Sequence, residues 1–249
     1  MRRLIPEPVA ETTVTDLLQD LQPADDPPAD RPRVLSNFVL TLDGRATIAG
    51  RSGPIGSKRD TEMLVGLRTR VDAVMIGAGT MRAECYGRVL GDPAKRERRS
   101  EEGLPRDPLM ILISGRLDLP WEAPLFADGG GEVVIFTCAD ADPPETATPT
   151  QVIRHSNSVD LAAALAHLRS ERGVRSLLCE GGPHLHAQLI QAGLVDELFV
   201  TYAPKLAGGE GPGLVAGLAE AERPLELAWL VVEPETGELF ARYLVPDTH

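Results

Sequence analysis

The stretch CEGGPHLHAQLI, residues 179 to 190, sets two adjacent glycines between an apolar run and a helical pattern. A turn of this kind can hold an anion. The first N–H groups of a helix are unpaired, they carry the positive end of its dipole, and glycine lets a ligand come close to the backbone. The same residues also suit a plain strand-to-helix turn. His184 and His186 lie two apart, which is wrong for one helical face. No HExxH pattern accompanies them and no third ligand is near in sequence, so the backbone reading is preferred to a zinc site. A second turn, VMIGAGTMRAE, carries Gly77 and Gly79. It has the start of GxGxxG, but Arg82 stands at the third glycine's place. The acidic residue a Rossmann motif wants some twenty positions on falls in the charged run RERRSEE. Two glycine turns that each open a helix nevertheless suit a dinucleotide whose phosphates touch both helix starts.

Thr80 and Glu84 are four apart, so a helix would bring a hydroxyl and a carboxylate to one face. They read either as a pair projecting into a cleft or as a cap and a solvated glutamate. Asp43-Gly44 is a turn signal by itself. It also closes the first strand of a parallel pattern, where ligands tend to bind. Tyr202-Ala-Pro-Lys205 lacks the Tyr-x-x-x-Lys spacing of short-chain dehydrogenases and reads as a core tyrosine and a surface lysine. Cys85, Cys138 and Cys179 are far apart and odd in number, which suggests neither a metal pair nor a disulfide framework.

The elements that must position these residues alternate. VLSNFVLTLDG, VDAVMIG, DPLMILIS, GEVVIFTC and VRSLLCE read as strands. SKRDTEMLVGLRTR, with Ser57 and Asp60 at its start, SVDLAAALAHLRSERG and GPHLHAQLIQAG read as helices. Fully apolar strands alternating with helices predict an α/β fold with a mostly parallel sheet covered on both faces. LELAWLVVEPETGELFARYLV is two strands joined by Pro-Glu-Thr-Gly, which predicts a C-terminal antiparallel hairpin. Residues 1–32 end in QPADDPPADRP and read as an extended arm, with residues 33–249 as one domain. Two long polar loops are expected, at 86–107 and 203–224.

Composition narrows the function. The 249 residues carry a net charge of −12, which argues against a nucleic-acid surface, since phosphate neutralisation needs clustered lysine and arginine. No apolar run approaches the roughly eighteen residues of a membrane span. The start, MRRLIPEPVAETTV, lacks the apolar core of a signal peptide, so a cytoplasmic location is expected.

NFVLTLDGRAT, GRSGPIGS, LRTRVDAVMIGAGTMRAECYG and LLCEGGPHLHAQLIQAGLVDELFVTYAPKLAGG stand in one order and spacing. In this the chain resembles the riboflavin-pathway pyrimidine reductases, the C-terminal reductase domain of the bifunctional deaminase–reductase. It looks most like the stand-alone actinobacterial-type versions. The resemblance spans roughly residues 4 to 246, and no HxE or PCxxC deaminase signature occurs in the chain. It implies a dihydrofolate-reductase-like fold, NADPH as hydride donor and a homodimer. The implied substrate is 5-amino-6-(5-phosphoribosylamino)uracil, reduced to its ribitylamino product. By position, the resemblance implies that Gly77, Gly79, Thr80, Gly181, Gly182, Pro183, His184 and Leu185 bind cofactor. Ser114 and Arg116 would lie at the adenosine 2′-phosphate. Glu84 and Asp43 would be catalytic, and Asn37, Thr41, Ser52 and Ser57 would face the substrate.

Two departures fall on the substrate side. Asn37 stands where the bifunctional enzymes carry a lysine. The segment DDPxLTxR, whose basic end helps hold the substrate phosphate, is here Glu84-Cys-Tyr-Gly-Arg-Val-Leu-Gly91, leaving Arg88, Arg45 or Arg51 as candidates for that phosphate. Two other functions therefore stay open: an NADPH-dependent reductase of a pterin such as dihydrofolate, and a non-catalytic NADP(H)-binding protein.

Overall fold

In the computed structural model, described for residues 1–217 and 219–246, apolar runs and helical patterns alternate along the chain as expected. The chain opens with β1 (Arg2–Ile5), α1 (Val14–Leu18), β2 (Arg33–Thr41), α2 (Lys58–Arg68), β3 (Ala73–Gly77) and α3 (Ala78–Glu84). Next come α4 (Pro93–Glu101), β4 (Leu109–Ile113), α5 (Pro124–Ala127), β5 (Val133–Thr137) and β6 (Thr150–Arg154). It closes with α6 (Leu161–Glu171), β7 (Ser176–Cys179), α7 (Pro183–Gln191), β8 (Glu197–Ala203), β9 (Glu226–Val232) and β10 (Leu239–Leu244).

Among the described residues the strands form one ten-stranded sheet in the order β1-β9-β10-β8-β2-β7-β3-β4-β5-β6. Pairing is parallel from β8 through β6. It is antiparallel from β1 through β9 and β10 to β8. The expected C-terminal hairpin is therefore present, with β1 added outside it.

Side chains alternate across a strand, and here both faces are apolar. Leu35, Val74, Ile76, Met110, Leu112, Val133 and Ile135 bury on one face with Met63 and Leu67 of α2. Their chain neighbours Val34, Ala73, Met75, Ile111, Val134 and Phe136 bury on the other, with Leu161, Leu165 and Leu168 of α6 and Leu185 and Leu189 of α7. Each of these buried side chains larger than alanine contributes about 1.5–3 kcal/mol of transfer free energy. The helix starts follow the expected chemistry: the Ser57 hydroxyl caps α2 and Pro183 opens α7.

Three regions differ from expectation. Residues 1–32 are not simply an extended arm. Strand β1 pairs with β9, and α1 is held by a capping box in which Thr13 and Asp16 satisfy each other's backbone N–H. Val14 and Leu18 bury against Gly66, where a Cβ would come within 2.7 Å of Leu18. The missing side chain on α2 thus makes the seat for α1. Residues 86–107 are not loop throughout, because Asp92 caps α4 within them. That helix has no apolar stripe. It turns the buried guanidinium of Arg99 inward to donate to the carbonyls of Arg68, Val71 and Pro105. Strand β6 was not expected; it lies at the sheet edge, and its β-branched Thr150, Val152 and Ile153 make only a five-residue run with Gln151 and Arg154, too short to stand out beside the longer apolar strands. Residues 204–217 and 219–224 have no helix or strand, as expected for a long loop.

Candidate active site

In open α/β sheets ligands bind outside the carboxyl ends of the strands, where the strand order reverses. Strand β7 is inserted between β2 and β3, and a cleft of about 520 Å³ opens above these ends. The two glycine turns meet there. The Gly77 N–H donates to the Gly181 carbonyl at 2.9 Å, and the Glu180 N–H donates to the Met75 carbonyl at 3.0 Å. Gly77 and Gly182 are the N-cap residues of α3 and α7, and neither helix start takes a side-chain cap. A Cβ on Gly182 would lie 3.0 Å from the Thr80 hydroxyl, so the glycine keeps the backbone close to that side chain. Gly181 has a φ of +111°, a conformation that side chains other than glycine's rarely adopt.

Most of the expected site residues come together. Asn37, Ser52, Gly77, Gly79, Thr80 and Glu84 line the cleft on its β2–β3 side. Ser114 and Arg116 line its β4 end, and Gly181, Gly182, Pro183, His184 and Leu185 line the wall between. Glu84 Oε1 accepts from the Ser52 backbone N–H at 2.8 Å and from the Ser52 hydroxyl at 2.9 Å. Its Oε2 lies 3.7 Å from Arg51 Nε, whose side chain is mostly exposed. One carboxylate oxygen is thus fully engaged and the other is the one left to meet a ligand.

Four expected site residues do not line the cleft. Asp43 accepts from the Thr41 hydroxyl at 2.6 Å and from the backbone N–H groups of Ala207 and Gly208. The Thr41 bond, followed by these two backbone bonds, holds its carboxyl well below the usual range. These bonds commit it to anchoring the loop after β8. Thr41 is buried and committed to Asp43 and to the Arg45 backbone. The Ser57 hydroxyl caps α2 and donates to Glu238. Arg88 is paired with Asp107, with Nε donating to Oδ1 at 2.8 Å. Of the other candidates for an anionic group, Arg45 donates to the Gly209 and Gly211 carbonyls. Arg51 stands beside Glu84.

Other residues of the cleft lie within the quoted motifs or a helix start but were given no role from the sequence. Glu180 accepts from Arg68 Nε and Nη2, both at 2.6 Å, and from the Tyr86 hydroxyl at 2.8 Å. Its side chain is 2% exposed. Burial first, and then the Glu180 charge, raises the Tyr86 phenol well above its ordinary value. This cluster ties the residue before Gly181 to α2 and to the segment after α3. Asp60 also lines the cleft, and its Oδ1 is buried without a partner. Burial pushes its carboxyl up to about 6, against a hydrogen bond from Thr201 and with a further rise from the Glu238 charge. Asp60 was visible only as part of a helix start. The arrangement offers two helix starts with open N–H groups, a carboxylate on the same wall and a cationic side chain at the far end. Among the described residues no three His, Cys, Asp or Glu side chains gather as a metal site. No helix among them is long and apolar enough to cross a membrane.

The sequence profile of the RibD C-terminal domain matches residues 32–232. Over 185 residues the chain is 30% identical to a 2,5-diamino-6-ribosylamino-4(3H)-pyrimidinone 5′-phosphate reductase from Archaeoglobus fulgidus, covering 72% of this chain and 83% of that protein. Over 198 residues it is 31% identical to the riboflavin biosynthesis protein RibD of Escherichia coli, covering 74% of this chain and 51% of that one. Among solved structures, a pyrimidine reductase-like protein from Corynebacterium diphtheriae superposes with a TM-score of 0.79 at 24% identity, over 95% of this chain and 100% of the other. The fold is the dihydrofolate-reductase-like α/β fold of these neighbours, with a mostly parallel sheet and an antiparallel hairpin.

Proposed function

The chain belongs to the RibD C-terminal domain family, and on that premise we propose that it is an NADPH-dependent reductase of the riboflavin pathway. Its substrate is a phosphoribosylaminopyrimidine: either 5-amino-6-(5-phosphoribosylamino)uracil or the 2-amino pyrimidinone phosphate for which the archaeal relative is named. The observation that carries this reading is the meeting of the two glycine turns, Gly77 to Gly181, on one cleft with Glu84.

The residues present fit a nicotinamide dinucleotide. The uncapped helix starts at Gly77 and Gly182 offer N–H groups to its phosphates, and a Cβ at Gly182 would narrow the space beside Thr80. Arg116, exposed at the β4 end and without an ion-pair partner among the described residues, suits an adenosine 2′-phosphate. When bound, the nicotinamide supplies a hydride to C1′ of the ring-opened sugar imine.

The chain's own residues align the reactants and manage charge at the imine nitrogen. Ser52 fixes the Glu84 carboxylate through Oε1, so that Oε2 is presented in one orientation. From there Glu84 either delivers a proton to nitrogen or stabilises a nitrogen that is already protonated. Thr80, one turn earlier on α3 and beside Gly182, would hold the nicotinamide amide or orient the Glu84 carboxylate. Arg51, outside the cleft lining but exposed at its rim beside Glu84, takes the sugar phosphate in place of Arg88, which is paired with Asp107. A homodimer in the cytoplasm belongs to the same proposal, with sedimentation as the test of the oligomer.

The test is loss of nicotinamide absorbance with NADPH and with NADH, against the two pyrimidine phosphates and dihydrofolate. Turnover of a pyrimidine phosphate with preference for NADPH is expected. Turnover of dihydrofolate alone would transfer the site to a pterin. Tight NADPH binding without turnover of any of them would make the protein a binding module.

A further inference from the structure

Asp60, in the first turn of α2, is a polar group of the cleft that the mechanism leaves unused. Its place against the sheet points to what it meets. The cleft runs from Ser114 and Arg116 beyond β4, past the glycine turns at β3 and β7, to Asn37 and Val39 of β2. Asp60 stands at this last end, near Thr201, which pairs with Val39 across β8 and β2. With the dinucleotide spanning β4 to β7, this end is left for the substrate.

The substrate's two polar parts differ in sign. A phosphate needs a cation and tolerates water, as at exposed Arg51. The Asp60 end offers the opposite: a carboxyl with one buried, unpartnered oxygen, at the end of the cleft lined by Asn37 and the apolar side chains of Val39 and Leu64. A flat heterocycle whose edge bears N–H donors satisfies such a place, and an unpaired buried acceptor is otherwise costly. The backbone also makes room for the carboxyl, since a Cβ on Gly56 would come within 2.2 Å of Asp60 Oδ2.

We propose that Asp60 is the specificity-determining residue that reads the N3 and position-2 edge of the pyrimidine, and that it selects a 2-amino pyrimidinone over a uracil. The proposal rests on the reductase reading above. A 2-amino-4-oxo ring presents two donors on this edge, the exocyclic amino group and N3–H, and an ionised carboxylate accepts from both. A uracil presents N3–H and a carbonyl oxygen. An ionised carboxylate can pair with only one of these and repels the other, whereas a protonated carboxyl can donate to the carbonyl and accept from N3–H.

The sign of the pH effect follows. Burial, with the nearby Glu238 charge, raises this carboxyl to about 6 despite the Thr201 hydrogen bond. Glu238 is itself engaged by the Ser57 and Thr236 hydroxyls, and Arg59, on the same helix, is committed to Glu233 and Glu62. Above about pH 6 the ionised form favours the 2-amino ring; below it the neutral form admits uracil.

The test measures kcat/KM for both pyrimidine phosphates with NADPH, well above and just below that pH, for the wild type and Asp60→Asn. One matched against one repelled hydrogen bond should give the wild type a preference of ~10–100-fold for the 2-amino substrate at the higher pH. The preference should shrink by about tenfold or more at the lower pH. Asparagine offers one donor and one acceptor, so Asp60→Asn should exchange the preference to uracil and remove its pH dependence. Thr201→Val deletes a donor to the carboxyl and should move the crossover to higher pH, which keeps the proposal testable if Asp60→Asn does not fold. A folded, NADPH-binding Asp60→Asn with the wild-type ratio at both pH values overturns the assignment. If the wild type reduces neither pyrimidine, the reductase reading fails by itself. Calorimetric binding of the two pyrimidine phosphates then decides for Asp60: exchanged preference in Asp60→Asn supports it, and unchanged preference overturns it.

Discussion

Replacing Arg68 by Met is a direct test of what holds the Gly181–Gly182 turn in place. The Glu180 carboxylate is 2% exposed and has three donors, two of them from Arg68 at 2.6 Å and one from the Tyr86 hydroxyl at 2.8 Å. Methionine keeps most of the apolar stem but removes two donors and the compensating charge. Removing one partner of a buried pair costs about 3–5 kcal/mol, because a charge is left without compensation. The Val89 carbonyl also loses its donor from Arg68, which adds about 1 kcal/mol. The double variant Arg68→Met/Glu180→Met removes both charges and should recover most of the loss, leaving roughly 1–2 kcal/mol for the unpaired Tyr86 hydroxyl and Val89 carbonyl. Urea unfolding followed by the fluorescence of Trp121 and Trp229 gives the cycle, and NADPH titration of the folded variants reads the turn itself. A weaker cofactor affinity in Arg68→Met is expected, since Glu180 precedes Gly181. A single-variant cost below about 1 kcal/mol, or a double variant that costs the sum of the two singles, would refute the reasoning.

Other perturbations address separate parts of the chain. Glu84→Gln keeps the shape and the contact to Ser52 while removing the charge; kcat on the substrate should fall about 10²–10⁴-fold with NADPH affinity held within a few-fold, and a near-normal kcat would reduce Glu84 to a positioning group. Gly182→Val places a branched side chain where a single Cβ already meets Thr80 at 3.0 Å; NADPH binding should weaken by tenfold or more on the order of one lost hydrogen bond, and unchanged affinity in a folded variant would make the turn purely structural. Thr13→Ala breaks the capping box of α1 and should cost about 1 kcal/mol in urea unfolding; no change would show that α1 contributes little to the fold.

What could be read from the sequence depended on how local each signal was. The apolar strands, the capped start of α2 at Ser57 and the Pro183 opening of α7 rest on neighbours a few residues apart, and all three stand in the structure. The glycine turns were legible for the same reason, because each lies between a strand and the helix that follows it. Helix α4 was missed because its buried face is made by Arg99, whose partners are carbonyls and leave no trace in an apolar pattern. Strand β1 and helix α1 were missed because a Pro/Asp-rich tail follows them, and because the seat for α1 is an absence of side chain at Gly66, some fifty residues away.

The candidate site divides along the same line, and the division bears on its chemistry. Residues on the glycine turns and on α3 belong to segments that a backbone-binding ligand must touch, so their position in the chain is nearly their position in the cleft. Asp43 shows the limit. It follows a strand whose C-terminal end opens on the cleft, yet two N–H groups from a loop more than 160 residues later claim its carboxylate. A carboxylate with those donors is held ionised and aimed at the loop, and is a poor source of a proton. Glu84 accepts two donors from one serine and keeps an oxygen for a ligand, while Asp60 keeps a buried oxygen with no partner. What separates the anchoring carboxylate from the two that face the cleft is therefore the number of acceptor sites left over after folding. Beyond the local Thr41 bond to Asp43, long-range hydrogen bonds set that number, and no spacing within the sequence encodes those.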